Sequence, residues 1–143
     1  MNPDPLKQAS LTIPNRIDQL PAVTDFLENL GSSWNLPQKM VLSLNLVLEE
    51  ALTNTILYGF DDQETHLIEI NISRKNQNLS IRISDDGQAY DPTQRKDPDL
   101  NLPLEERPIG GLGIFLIKQM MDSVSYVRKN NKNYLTLKKN IGL

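Results

Sequence analysis

Three groups of residues have types and spacings suited to chemistry. Glu50 and Asn54 stand four residues apart in residues 44–58, a stretch rich in Leu, Glu and Ala with apolar positions at helical spacing. At about 100° per residue the two side chains fall within about 40° of each other on neighbouring turns, while Glu49 points elsewhere. A carboxylate and a carboxamide on an otherwise apolar helix cost free energy unless something pairs with them. They are either bonded to each other at the helix edge or presented to a ligand. Asp85 is the second anomaly. Leu79, Ile81 and Ile83 alternate with Ser80, Arg82 and Ser84, and period two carries on to place Asp85 on the inward face. The alternative is a turn-forming Asp ahead of Asp86-Gly87. Third, Ile109-Gly110-Gly111-Leu112-Gly113 leads into an apolar run from Ile114 to Met121. Glycines that open a helix let backbone approach a ligand, and free N–H groups and the helix dipole favour an anion there. It is not the dinucleotide fingerprint, which needs a preceding strand, and the alternative is a plain turn.

The elements that carry these groups follow from periodicity. Residues 9–14 alternate and predict a short edge strand ending at Pro14. Leu20, Val23, Phe26, Leu27 and Leu30 follow helical spacing, with Gly31 as the stop. Pro37 suits the first turn of the next helix, which runs through Glu50 and Asn54 to about Tyr58 and closes at Gly59. Ile68, Ile70 and Ile72 alternate with Glu69, Asn71 and Ser73; a polar turn over 74–78 then leads to the row ending in Asp85. Together these predict a hairpin with one buried face. Residues 87–108 lack sustained periodicity and are crowded with Asp and Pro. A loop of that length in a compact domain is usually a lid, a binding segment or disorder. It holds Arg95, Lys96 and Arg107, candidate cations for a phosphate. Residues 124–128 and 134–138 flank Asn130-Asn131-Lys132-Asn133 as a second hairpin.

Composition sets bounds. The 143 residues fit one domain with a sizeable core. No apolar run approaches the roughly 20 residues that cross a bilayer, and no secretory signal opens the chain, so no membrane role is expected. There are no cysteines, which excludes disulfides and thiolate metal sites and is compatible with the cytoplasm. A net charge of -3 argues against direct nucleic-acid binding. Lys138 and Lys139 read as a solvated strand edge. His66, the one histidine, leaves no cluster for zinc and no pair for phosphotransfer, and reads as a surface residue.

In this order the three groups resemble the GHKL ATPase superfamily of gyrase, histidine kinases and mismatch-repair ATPases. Glu50-Ala51-Leu52-Thr53-Asn54 is similar to its N box, Asp85-Asp86-Gly87-Gln88-Ala89 to its first glycine box, and Gly110-Gly111-Leu112-Gly113 to its second. Within the superfamily the chain resembles the bacterial anti-sigma-factor serine/threonine kinases, over nearly its whole length. Its 143 residues leave no room for the phosphoacceptor helices of a histidine kinase.

The resemblance implies a single domain over residues 1–143 with the Bergerat α/β sandwich, helices on one face of a mixed, mostly antiparallel sheet. It implies that Asp85 receives the adenine amine of ATP, that Asn54 holds Mg²⁺, and that Glu50 is the general base. Gly87, Ala89, Gly110, Gly111, Leu112 and Gly113 would line the nucleotide, with Arg107 as the lid cation. Ala89 stands where many members have a second glycine. The implied activity is phosphorylation of a serine or threonine on an anti-anti-sigma (STAS-like) partner, with a sigma factor as competitor and homodimerisation left open. A non-catalytic, nucleotide-gated binding module and a simple ATPase are the alternatives.

Overall fold

The computed structural model describes residues 6–94 and 111–142. Five strands, β1 (Lys7–Pro14), β2 (Leu67–Lys75), β3 (Asn78–Asp85), β4 (Ser123–Lys129) and β5 (Lys132–Asn140), form one sheet in the order β1-β2-β3-β5-β4. Among the described residues three α-helices, α1 (Leu20–Ser33), α2 (Gln38–Tyr58) and α3 (Gly111–Met120), accompany it. The sheet expected as mixed and mostly antiparallel is antiparallel in every pairing among the described residues.

Period-two alternation decides which face is covered. Ile68, Ile70 and Ile72 on β2, Leu79, Ile81 and Ile83 on β3, and Leu135 and Leu137 on β5 are buried. The opposite face carries Glu69, Asn71, Ser80 and Arg82, all at least partly open. The helices complete the apolar layer with Val23 and Leu27 from α1, Leu44, Leu48 and Leu52 from α2, and Ile114 and Ile117 from α3. Each such burial contributes about 1.5–3 kcal/mol. That layer holds α2 over the sheet and so fixes where Glu50 and Asn54 face.

Several local expectations are corrected. Gly31 does not stop α1; it lies inside the helix, where an added Cβ would sit 2.5 Å from Val41 Cγ2 on α2. Its smallness serves helix packing. The helix ends instead at Asn35, which adopts φ 54°, with the Leu36 N–H donating to the Gly31 carbonyl at 2.9 Å, the bonding of a Schellman motif. β5 is no edge: it lies between β3 and β4, and Lys139 Nζ donates to the Met120 carbonyl at 2.7 Å, closing the end of α3. Lys138 is exposed. By length and hydropathy α2 is apolar enough to cross a membrane, contrary to expectation; Leu44, Leu48 and Leu52 are fully buried in the shared core instead.

Candidate functional site

β3 and β5 run side by side, and their register decides what meets where they cross the core's edge. Asp85 pairs with Asn133, and Asn133 with Arg128 on β4, so the three form a row across adjacent strands. Asp85 is 8% exposed. Its Oδ1 accepts from the Gly87 N–H at 2.8 Å and from Asn133 Nδ2 at 3.0 Å. The inward-face and turn-forming readings of Asp85 therefore both hold: it is buried at the end of the apolar row, and it also bonds the turn that follows. Among the described residues Oδ2 takes no hydrogen bond.

Asp85 borders a narrow cavity of about 20 Å³, walled by Ala51, Asn54 and Thr55 of α2, Ile114 of α3, and Tyr90 and Pro92 beyond β3. One water fills such a space; a purine ring does not fit it as it stands. A far larger groove, about 770 Å³, lies at the opposite end of α2 beside Met40, Met120 and Met121. It is lined by none of Glu50, Asn54, Asp85, Gly87 and Gly113.

Asn54 is 5% exposed, and among the described residues its Nδ2 has no hydrogen-bond partner. An unmet buried amide costs about 1–3 kcal/mol, so it marks a place where an acceptor arrives. The amide can offer N–H to a phosphate oxygen or, turned over, its oxygen to Mg²⁺, which favours oxygen ligands. This donor fits the implied metal and nucleotide. Glu50 lies half-buried one turn earlier, and the two are not bonded to each other. A Cβ on Gly113 would sit 2.5 Å from Glu50 Oε2. The carboxylate thus rests against the first turn of α3, in space that only glycine leaves open, which joins the first and third groups of the sequence.

The remaining expected residues divide. Gly87 is pressed against the residue that closes α2: a Cβ there would collide with the Gly59 carbonyl, so its first duty is close packing. Gln88 fastens the same turn, donating its N–H to Gly59 O at 2.8 Å and its Nε2 to Tyr58 O at 2.9 Å. Ala89 is exposed and does not line the cavity, so it is not brought to the site as expected; the turn directs it outward. Gly111 and Leu112 open α3. Arg107 and Gly110, with Arg95 and Lys96, lie outside the described residues.

Two features of the site escaped the sequence. Asn133, taken as a turn residue, is buried on β5 against Asp85. It shares parity with Leu135 and Leu137, the same signal that placed Asp85. His66 stays partly open, as its surface reading has it, but its partners were not foreseen: Nε2 lies 2.8 Å from Asp62 and Nδ1 2.9 Å from Asp86, with the ring stacked on Phe60 at 4.6 Å. The bond to Asp62 first, and that to Asp86 second, raise the imidazole pKa, and the Asp62 carboxyl is held below its ordinary value by the same bond. Asp62, Glu64 and His66 bring ligand atoms within 4.8 Å of one another at the surface, but both ring nitrogens already face carboxylates.

A buried carboxylate at a strand end, an unmet amide on the facing helix, and a carboxylate against a glycine helix start make up the arrangement. Residues 13–139 match the family described as the histidine kinase-like ATPase domain. The chain belongs to the histidine kinase-like ATPase family. Serine/threonine-protein kinase BtrW of Bordetella bronchiseptica is 31% identical over 112 residues, 78% of this chain and 79% of that protein. Serine-protein kinase RsbW of Listeria monocytogenes is 30% identical over 117 residues, 74% of each. This ATPase-family domain therefore groups with serine/threonine protein kinases. A histidine kinase structure, AdeS of Acinetobacter baumannii, superposes with TM-score 0.49 and 19% identity over 72% of this chain; the chain spans 48% of that structure.

Proposed function

We propose that this domain moves the γ-phosphoryl group of ATP to a serine or threonine hydroxyl of an anti-anti-sigma-type, STAS-like partner. A sigma factor competes with that partner for the domain, and the competition is the regulatory switch. The observation that carries the reading is Asp85: buried, with one oxygen doubly bonded and the other left for a cavity that also meets the unmet amide of Asn54.

The free oxygen of Asp85 accepts from the exocyclic amine of adenine. Guanine would set a carbonyl against a carboxylate, which is costly. Asn54 holds Mg²⁺, which draws charge from the phosphates when bound. Backbone amides of Gly111, Leu112 and Gly113, in the first turn of α3, cradle the phosphates, joined in this reading by Gly110 and Arg107. Glu50 takes the proton of the partner hydroxyl as that oxygen bonds to the γ-phosphorus and the bond to the β–γ bridging oxygen breaks; ADP leaves with that oxygen. General-base help contributes about 10²–10⁴ in rate, and positioning supplies the rest. A cytoplasmic location accompanies this reading.

The test is incubation with γ-labelled ATP, Mg²⁺ and a purified anti-anti-sigma-type protein. Label on a serine or threonine of that protein, lost in Glu50→Gln, is the expected result. Label released only as free phosphate makes the domain a simple ATPase. Nucleotide-dependent partner binding without transfer makes it a gated binding module.

A further inference from the structure

The polar row at the end of the sheet holds more than the aspartate. Asn133 is 6% exposed, and every polar site on its amide is used. Nδ2 donates to Asp85 Oδ1 at 3.0 Å and to the Gln88 carbonyl at 2.9 Å, while Oδ1 accepts from Arg128 Nη1 at 3.0 Å and from the Tyr126 hydroxyl. These partners fix which way round the amide sits. Turned over, its oxygen would face the Asp85 carboxylate and the Gln88 carbonyl, and its N–H₂ would face the Arg128 and Tyr126 donors. Arg128 also donates to the Gly87 carbonyl at 2.9 Å. One guanidinium therefore steadies both the amide and the turn whose N–H meets Asp85.

We infer that Asn133, oriented by Arg128 and Tyr126, is a positioning residue that sets purine selectivity by fixing Asp85. This rests on the nucleotide reading above. With Oδ1 saturated by two N–H donors, the carboxylate cannot turn about its Cβ–Cγ bond without breaking both bonds, and Oδ2 alone is left to meet a ligand. An acceptor fixed in place rewards an amine at position 6 of the purine and penalises a carbonyl there. A carboxylate free to turn, or to take a water between itself and the base, discriminates less.

The experiment is calorimetric titration of the full chain with Mg²⁺ and either ATP or inosine triphosphate, which carries a carbonyl in place of the amine. Asn133→Ala is expected to weaken ATP binding about tenfold, the scale of one hydrogen bond to a charged group, and to leave inosine triphosphate within about twofold. Tyr126→Phe, which removes a donor from the far side of Asn133, is expected to narrow the ratio about two- to threefold. An ATP-over-inosine preference that survives both variants overturns the inference. So does a parallel loss of both nucleotides, since a merely structural role would act that way. Should Asn133→Ala fail to fold in a thermal melt, the ratio in Tyr126→Phe decides alone. Asp85→Asn separates the two levels. If the wild type binds no ATP, or Asp85→Asn leaves its affinity unchanged, the nucleotide reading falls and this inference with it. If Asp85 matters but the ratio ignores Asn133 and Tyr126, only the inference falls.

Discussion

The two ends of the candidate site are built on opposite plans. At the strand end, Asp85 Oδ1, the Asn133 amide and the Gly87 turn are bonded to one another before any ligand arrives. At the helix end, Asn54 Nδ2 is unmet and, among the described residues, Glu50 makes no side-chain hydrogen bond. A group that must recognise a fixed shape gains from being locked in advance, because no ordering cost falls due on binding. A group that must take up a proton, a metal or a phosphate needs an open valence, and the fold tolerates the desolvation cost to keep it. On the proposed function, selection falls to the sheet and chemistry to α2 and α3.

The largest expected effect breaks the helix end. Glu50→Gln keeps the shape of the side chain and removes its capacity to hold a proton. Phosphoryl transfer should fall by about 10²–10⁴, while ATP affinity stays within a few-fold, because Glu50 is not among the cavity's lining groups. If transfer survives intact, the base lies elsewhere and the division of labour is wrong. Breaking the strand end should act on the other quantity. Asp85→Asn replaces an acceptor with a group that can present N–H to the adenine amine, and binding should weaken by roughly 1–3 kcal/mol. Unchanged affinity by calorimetry reduces Asp85 to a turn residue.

Gly113→Ala sharpens the comparison, because stability and activity should part. Gly113 lies in the first turn of α3, where alanine is favoured over glycine by up to about 1 kcal/mol. Its Cβ would also sit 2.5 Å from Glu50 Oε2, and a long carboxylate can move aside at little cost. The melting temperature is expected to hold or rise while transfer drops about tenfold through a displaced base. A drop in both together would make Gly113 a packing glycine like Gly31.

Where a single period governed a stretch, the sequence was enough to place it. Alternation placed the core faces of β2 and β3 and carried Asp85 inward; helical spacing put Glu50 and Asn54 on one side of α2. Legibility failed where one residue type serves two ends. Glycine both stops helices and lets them touch, and at Gly31 the nearness of Val41 decided. The run from Asn130 to Asn133 has the composition of a turn throughout, yet Asn130 and Asn131, at φ 54° and 62°, complete the two-residue turn by themselves. Lys132 and Asn133 are thereby released into β5. The insertion of β5 between β3 and β4 puts Lys139 on an interior strand, and no local pattern encodes strand order. His66 finds one partner four residues away and another twenty away, brought together by loops whose paths no periodicity describes.

His66 is also where the smallest effect should appear, at the outer edge of the strand end, tying Asp86 to the segment after α2. Its pKa is raised above 6.5 by Asp62 and then by Asp86, so the folded chain binds that proton more tightly than the unfolded one. The stabilisation is therefore complete below the unfolded value near 6.5 and is lost as pH rises through the higher folded value. Asp62, held below 3.8 chiefly by its bond to His66, contributes above its unfolded value and loses that contribution as pH falls through the lowered one. Between those limits wild type should be more stable than His66→Gln, by a margin that closes as pH rises from about 6 towards 9. Denaturant midpoints of both proteins across that range measure it. A margin that stays level or widens with pH would mean that His66 is neutral in the fold, and the tie to Asp86 would then be an ordinary hydrogen bond with no charge behind it.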